Sequence, residues 1–143
     1  MQPRFISSLC SAIVCGGIVA ACGISPADSG GGPSGPVSQT YVLTPGQTVN
    51  LSPGTTLKLD KVNDSRCRPG AVCVWKGYIS FTFVLTHGGQ SSQFVLAEDM
   101  PNGSNTAAQQ GLKFTLGPLE PAEPTPLHTP PPAYKVSLRV DIS

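Results

Sequence analysis

The last nine residues before Ser143 leave the backbone little choice. Tyr134, Val136, Leu138, Val140 and Ile142 are apolar, and Lys135, Ser137, Arg139 and Asp141 between them are polar or charged. Successive side chains of a strand point to opposite faces, so strict alternation predicts an extended segment with one dry and one wet face. The same pattern recurs in Ile79, Phe81, Phe83 and Leu85 against Ser80, Thr82, Val84 and Thr86. Leu57 and Leu59 oppose Lys58 and Asp60, behind the β-favouring Thr55 and Thr56. Shorter extended runs lie at residues 41–44, 47–51, 93–97 and 112–116. Together these amount to about seven strands. No stretch sustains a helical period.

The punctuation between runs supports the same fold. The chain holds 16 glycines and 15 prolines, and many fall between the extended runs as Pro45-Gly46, Pro53-Gly54 and Pro101-Asn102-Gly103. His87-Gly88-Gly89-Gln90 places paired glycines where a tight hairpin needs positive φ. Many short strands with frequent turns predict an all-β domain, a small antiparallel β-sandwich or barrel. Residues 118–132 depart from the pattern with seven prolines. Proline cannot donate to a sheet ladder, so this piece is expected to cross, polyproline-like and extended, to the last strand.

The amino terminus belongs to a different class of segment. Arg4 is followed by residues 5–21, which are uncharged and rich in Ile, Val, Ala and small residues. This is the layout of a secretory signal peptide. Its closing Val19-Ala20-Ala21-Cys22 resembles the bacterial lipobox, in which the cysteine becomes the lipid-modified first residue of the mature chain. The resemblance implies fatty acyl chains such as palmitate on Cys22. Several chains together, at ~0.8 kcal/mol per buried methylene, hold a protein to a membrane where one would not. Residues 5–24 are also just long enough for an uncleaved anchor across ~30 Å of hydrocarbon. Gly16, Gly17 and three serines make that span weakly apolar, however, and no basic cluster follows. Gly23, in place of Asp after the cysteine, resembles proteins sorted outward where an outer membrane exists.

The expected organisation is a lipoprotein signal peptide over 1–21, a lipidated Cys22 with a Gly/Pro/Ser-rich tether over 22–39, and a β-sandwich domain over 40–143. Loss of Arg4 with the signal leaves eight basic against eight acidic side chains. A neutral chain has no basic face for nucleic acid and no long-range steering toward a charged partner.

One motif concentrates the chemistry: Asp64-Ser65-Arg66-Cys67-Arg68-Pro69-Gly70-Ala71-Val72-Cys73-Val74-Trp75-Lys76-Gly77. Two cysteines around a Pro-Gly turn in an exported chain predict a disulfide between Cys67 and Cys73. Closing so small a loop contributes only ~2 kcal/mol in the chain-entropy model, so the bridge chiefly sets loop shape. Trp75 is expected to open the next strand and cover the bridge. The Asp-Ser-Arg-Cys, Cys-Val-Trp and following Gly resemble a motif of small bacterial envelope lipoproteins of uncharacterised function. Pro69 stands one position later than in that pattern, and Lys76 replaces a small residue. The resemblance implies fold and location and transfers no activity. For the motif itself, a stapled loop with Asp64 and Arg66 bonded locally competes with a binding surface made of Arg66, Arg68, Trp75 and Lys76.

Signals for catalysis are sparse. His87 falls at a hairpin tip and His128 in the proline run. His-x-His, His-Glu-x-x-His, paired Cys-x-x-Cys and Gly-x-Ser-x-Gly do not occur. Glu98 and Asp99 are adjacent and would point to opposite faces of a strand. Asp60, Asn63 and Asp64 lack the glycine and bidentate glutamate of an EF-hand loop. The reading is therefore a non-enzyme without cofactor or metal: a lipid-anchored, extracytoplasmic binding or structural module. It would lie in a bacterial cell envelope, on the outer membrane facing the periplasm in a Gram-negative cell, with an envelope protein as possible partner and no nucleic acid. The alternatives are a small-molecule-binding or hydrolytic accessory protein using His87 or His128, or an inhibitor of an extracytoplasmic protease.

Overall fold

In the computed structural model, residues 37–142 are described. The segments expected to be the signal peptide, the lipobox with Cys22 and the tether up to residue 36 lie outside them. The alternating segments form eight strands: β1 (Ser38–Leu43), β2 (Thr48–Ser52), β3 (Thr55–Asp64), β4 (Ile79–His87), β5 (Gln90–Glu98), β6 (Thr106–Gln109), β7 (Leu112–Glu120) and β8 (Lys135–Ile142). They make two antiparallel four-stranded sheets, ordered β1-β8-β7-β6 and β2-β3-β4-β5. The sheets pack face to face as a sandwich, so the barrel alternative falls away. Among the described residues there is no helix, and hence none long and apolar enough to cross a membrane.

The dry faces read from the sequence meet between the sheets. Leu57, Leu59, Phe81, Phe83, Leu85, Leu96, Phe114, Val136 and Leu138 are all but inaccessible to water. At the centre, Phe94 stacks on Phe83 within its own sheet at 5.5 Å and meets Phe114 of the other sheet at 4.8 Å. Each such ring contributes roughly 1.5–3 kcal/mol by leaving water. Ile142, assigned to the same face from its spacing, is half exposed at the strand end.

Four expectations need adjusting. β1 starts at Ser38, two residues inside the expected tether, because its backbone pairs with β8 from Ser38↔Asp141 onward. β5 runs from Gln90 rather than 93, since the Gly88-Gly89 turn (φ 56 and 82) zips the hairpin from His87↔Gln90. β6, Thr-Ala-Ala-Gln, has no apolar alternation and becomes a strand through pairing with β7. Finally, β7 continues to Glu120 and includes Pro118, which the sequence places in the crossover. A register shift between Leu116 and Leu119 accommodates Pro118 where the short β6 no longer pairs with β7.

A second register shift, between Leu59 and Lys61 of β3, matters more. Leu57 and Leu59 face the core. The extra residue then reverses the phase, so Val62 pairs with Phe81 and Asp64 with Ile79, on the core side of the strand. Without the bulge, Asp64 would share the wet face with Lys58.

Candidate functional site

The chain between β3 and β4, residues 65–78, leaves the sheet but keeps its ladder for a short way. Ser65 N–H donates to Tyr78 O (2.9 Å) and Cys67 N–H to Lys76 O (2.8 Å). Gly77 makes this crossing possible. Its φ is +70, and a Cβ there would stand 1.9 Å from Ser65 O, so no side chain fits. Beyond the ladder, Cys67 and Cys73 are disulfide-bonded across a Cα separation of 6.0 Å. Between them Ala71 N–H donates to Arg68 O at 2.9 Å, closing the turn at Pro69-Gly70.

Asp64 sits at the root of this loop. Its Oδ1 accepts from Arg66 N (3.1 Å) and Nε (2.9 Å), and its Oδ2 accepts from Arg66 Nη2 (2.7 Å). Tyr134, on the inward phase of β8 and just ahead of it, donates its hydroxyl to Oδ2 at 2.7 Å. This contact joins the two sheets at their open end. Partial burial alone would raise the Asp64 pKa, but the bonds from Arg66 and Tyr134 outweigh it and hold the carboxyl below its ordinary range. Tyr134 is pushed up to about 12, by burial first and then by donation to the carboxylate. Arg66 is raised through its bond to Asp64.

The same arginines bind the proline-rich connection at 121–134. A segment rich in proline offers carbonyls but few N–H groups, so it cannot satisfy itself. Arg66 Nη1 donates to Ala122 O. Arg68 Nε donates to Thr125 O at 2.9 Å, and its Nη2 lies 2.9 Å from both Thr125 Oγ1 and Pro126 O and 3.1 Å from Thr129 O. In return Leu127 N–H donates to Pro69 O at 3.0 Å. A groove of about 310 Å³, with Val62, Asp64, Arg68, Pro131 and Tyr134 among its walls, lies where these pieces meet.

The structure therefore divides the four residues expected to form one binding surface. Arg66 is turned onto Asp64 and the proline connection, and Arg68 onto the proline connection, a segment that the local-bonding alternative did not include. Lys76 is exposed and pairs with Asp99 at 3.2 Å. Trp75 precedes β4 rather than opening it, is 54% exposed, and meets Tyr78 edge-on at 5.8 Å. Beside it, Val72 and Val74 are fully exposed. The loop thus ends in an apolar tip carried on a polar, cross-linked stem. Reading Trp75 as the opening residue of the next strand hid that tip. Tyr134, 70 positions from Asp64, carried no signal either.

The remaining candidates stay apart. His87 Nδ1 is 2.8 Å from Thr55 Oγ1, and His128 is exposed in the proline connection at φ 68. Asp60 pairs with Lys58 at 2.7 Å. Glu98 ends β5, and Asp99 follows it at φ 58. Among the described residues no three His, Cys, Asp or Glu side chains gather as metal ligands would. Comparison of the chain with family models, with curated proteins and with solved structures returns no match.

Proposed function

We propose that this chain is an exported, non-catalytic module, held to a bacterial envelope membrane by acylation of Cys22. It engages an envelope protein through the tip of the 67–76 loop. The observation that carries the reading is the pairing of an exposed apolar tip, Val72, Val74 and Trp75, with a stem fixed by a disulfide and two arginines. Isolated exposed apolar residues are ordinary, whereas three together on a stiff support mark an interaction site. A pre-shaped loop loses little entropy on binding, and a half-exposed tryptophan is the residue type that most often anchors an interface. The charged groups lining the groove already have partners, Asp64 in Arg66 and Tyr134 and Arg68 in the carbonyls of the proline connection, which weighs against a polar ligand or a catalytic acid there.

Two measurements test it. Fatty-acid labelling should mark the intact chain at Cys22, and Cys22→Ala should move it from membrane to soluble fractions with its fold unchanged. An unlabelled Cys22, or a Cys22→Ala chain still in the membrane, rejects the anchor. Cross-linking in intact cells should lose its partner bands in a Val72→Ser, Val74→Ser, Trp75→Ala variant whose melting is unaltered. Bands that persist reject the tip.

A further inference from the structure

Four strands border the two sheets, and β5 is the longest. It has nine residues against six in β1, five in β2 and four in β6. β2 carries a register shift and is bracketed by Pro45 and Pro53. β5 has none of these guards: its pairing with β4 is unbroken from Gln90 to Glu98, it contains neither Pro nor Gly, and no charge appears before Glu98. Unguarded borders of this kind are templates for another strand.

The hydrogen-bond phase shows which groups are on offer. A two-residue turn makes His87/Gln90 a bonded pair, so Ser92, Phe94 and Leu96 also bond toward β4, while Ser91, Gln93, Val95 and Ala97 turn their N–H and C=O outward. Two contacts agree with this phase. Ala97 N–H donates outward to Ser104 O at 2.9 Å, and the hydroxyls of Thr86 and Ser91 meet at 2.8 Å, as side chains of a non-bonded pair do. The Ala97 end is thus covered, and the outward groups of Ser91, Gln93 and Val95 have no backbone partner among the described residues. Val95 beside them is 47% exposed.

We propose that β5 pairs antiparallel with β5 of a second copy of this chain, about a two-fold axis at Gln93, joining two four-stranded sheets into one. The strand suits itself as a partner. In this register Gln93 faces Gln93 of the second copy, Ser91 faces its Val95, and the outward groups of all three exchange hydrogen bonds. Glu98 falls opposite Gly88 of the second copy, so no acid meets an acid. Gly89 of the second copy falls opposite Ala97, whose outward N–H is already taken by Ser104 O, so the shared ladder is confined to Ser91, Gln93 and Val95. This pairing is independent of the anchor and of the 67–76 tip.

The full-length chain with Gln93→Cys should form a covalent dimer under mild oxidation, above the background of the parent chain, because opposed positions of a bonded pair lie ~5.5 Å apart at Cα. Val95→Cys alone should not, and Ser91→Cys with Val95→Cys should. Sedimentation should show a concentration-dependent dimer that Gln93→Lys, which opposes two ammonium groups on the wet face, converts to monomer with an unchanged far-ultraviolet spectrum. A monomer at every concentration without cross-linking overturns the proposal, and so does a dimer that survives Gln93→Lys. Protected amides at Ser91, Gln93 and Val95 in a monomer would overturn it too, by showing that another segment of the same chain covers the edge.

Discussion

Asp64 illustrates how one side chain can join two stretches of chain far apart in sequence. Its carboxylate holds Arg66 in the loop and Tyr134 ahead of the final strand, and Arg66 in turn reaches Ala122. Two opposite pH dependences follow. The Asp64 pKa is lowered on folding, so its contribution is complete above the ordinary carboxylate range, roughly pH 4, and is lost as pH falls through the folded value. Tyr134 rises from 10.0 to about 12, so its contribution is complete below pH 10 and is lost as pH climbs toward 12. Tyr134→Phe should cost about 1 kcal/mol at neutral pH and flatten stability between pH 10 and about 12. Denaturant midpoints measured across that range check it, and an alkaline loss unchanged in the variant would place the titrating group elsewhere. The sequence placed Asp64 and Arg66 together because they are two apart. Tyr134 was invisible as their partner, since its approach depends on a bulge at residue 60 that no local pattern announces.

At the scale of elements, the loop at 65–78 and the connection at 121–134 support each other. The connection lacks donors and the loop supplies them through Arg66 and Arg68, while Pro69 O accepts the N–H of Leu127 in return. The disulfide is therefore one restraint among several. Cys67→Ser with Cys73→Ser should lower unfolding free energy by no more than about 2 kcal/mol while the sandwich persists. Urea titration read by Trp75 fluorescence measures this, and unfolding of the whole domain on reduction would contradict it. The cystine was legible because its spacing and the Pro-Gly turn are local. Strands with a clean period of two, such as β4 and β8, were legible for the same reason. β6 was not, since Thr-Ala-Ala-Gln acquires its strand character from β7, and Trp75 misled because an aromatic ahead of an alternating run reads as its first residue whether or not the ladder reaches it.

For the whole molecule, the sheets are held by interleaved apolar faces rather than by covalent links, as the disulfide stays within one loop. Phe94 takes part in that contact directly, lying between Phe83 of its own sheet and Phe114 of the other. Phe94→Ala should cost roughly 3–5 kcal/mol and should do so in a single transition for both sheets. Calorimetry with a fluorescence trace distinguishes this from separate melting of two halves. The all-β class followed from alternation and turn residues, which left sandwich and barrel open, whereas the pairing order, with β8 between β1 and β7, rests on long-range contacts.

That order has a topological corollary. Ser38 stands across from Asp141, so the two ends of the described chain are neighbours and the path is nearly a ring. Ligating those ends with a few linker residues and opening the backbone at Gly88-Gly89 would give a circular permutant with the same ladder. Conversely, a bulky fusion at the carboxyl end would be delivered beside the point where the amino-terminal segment enters.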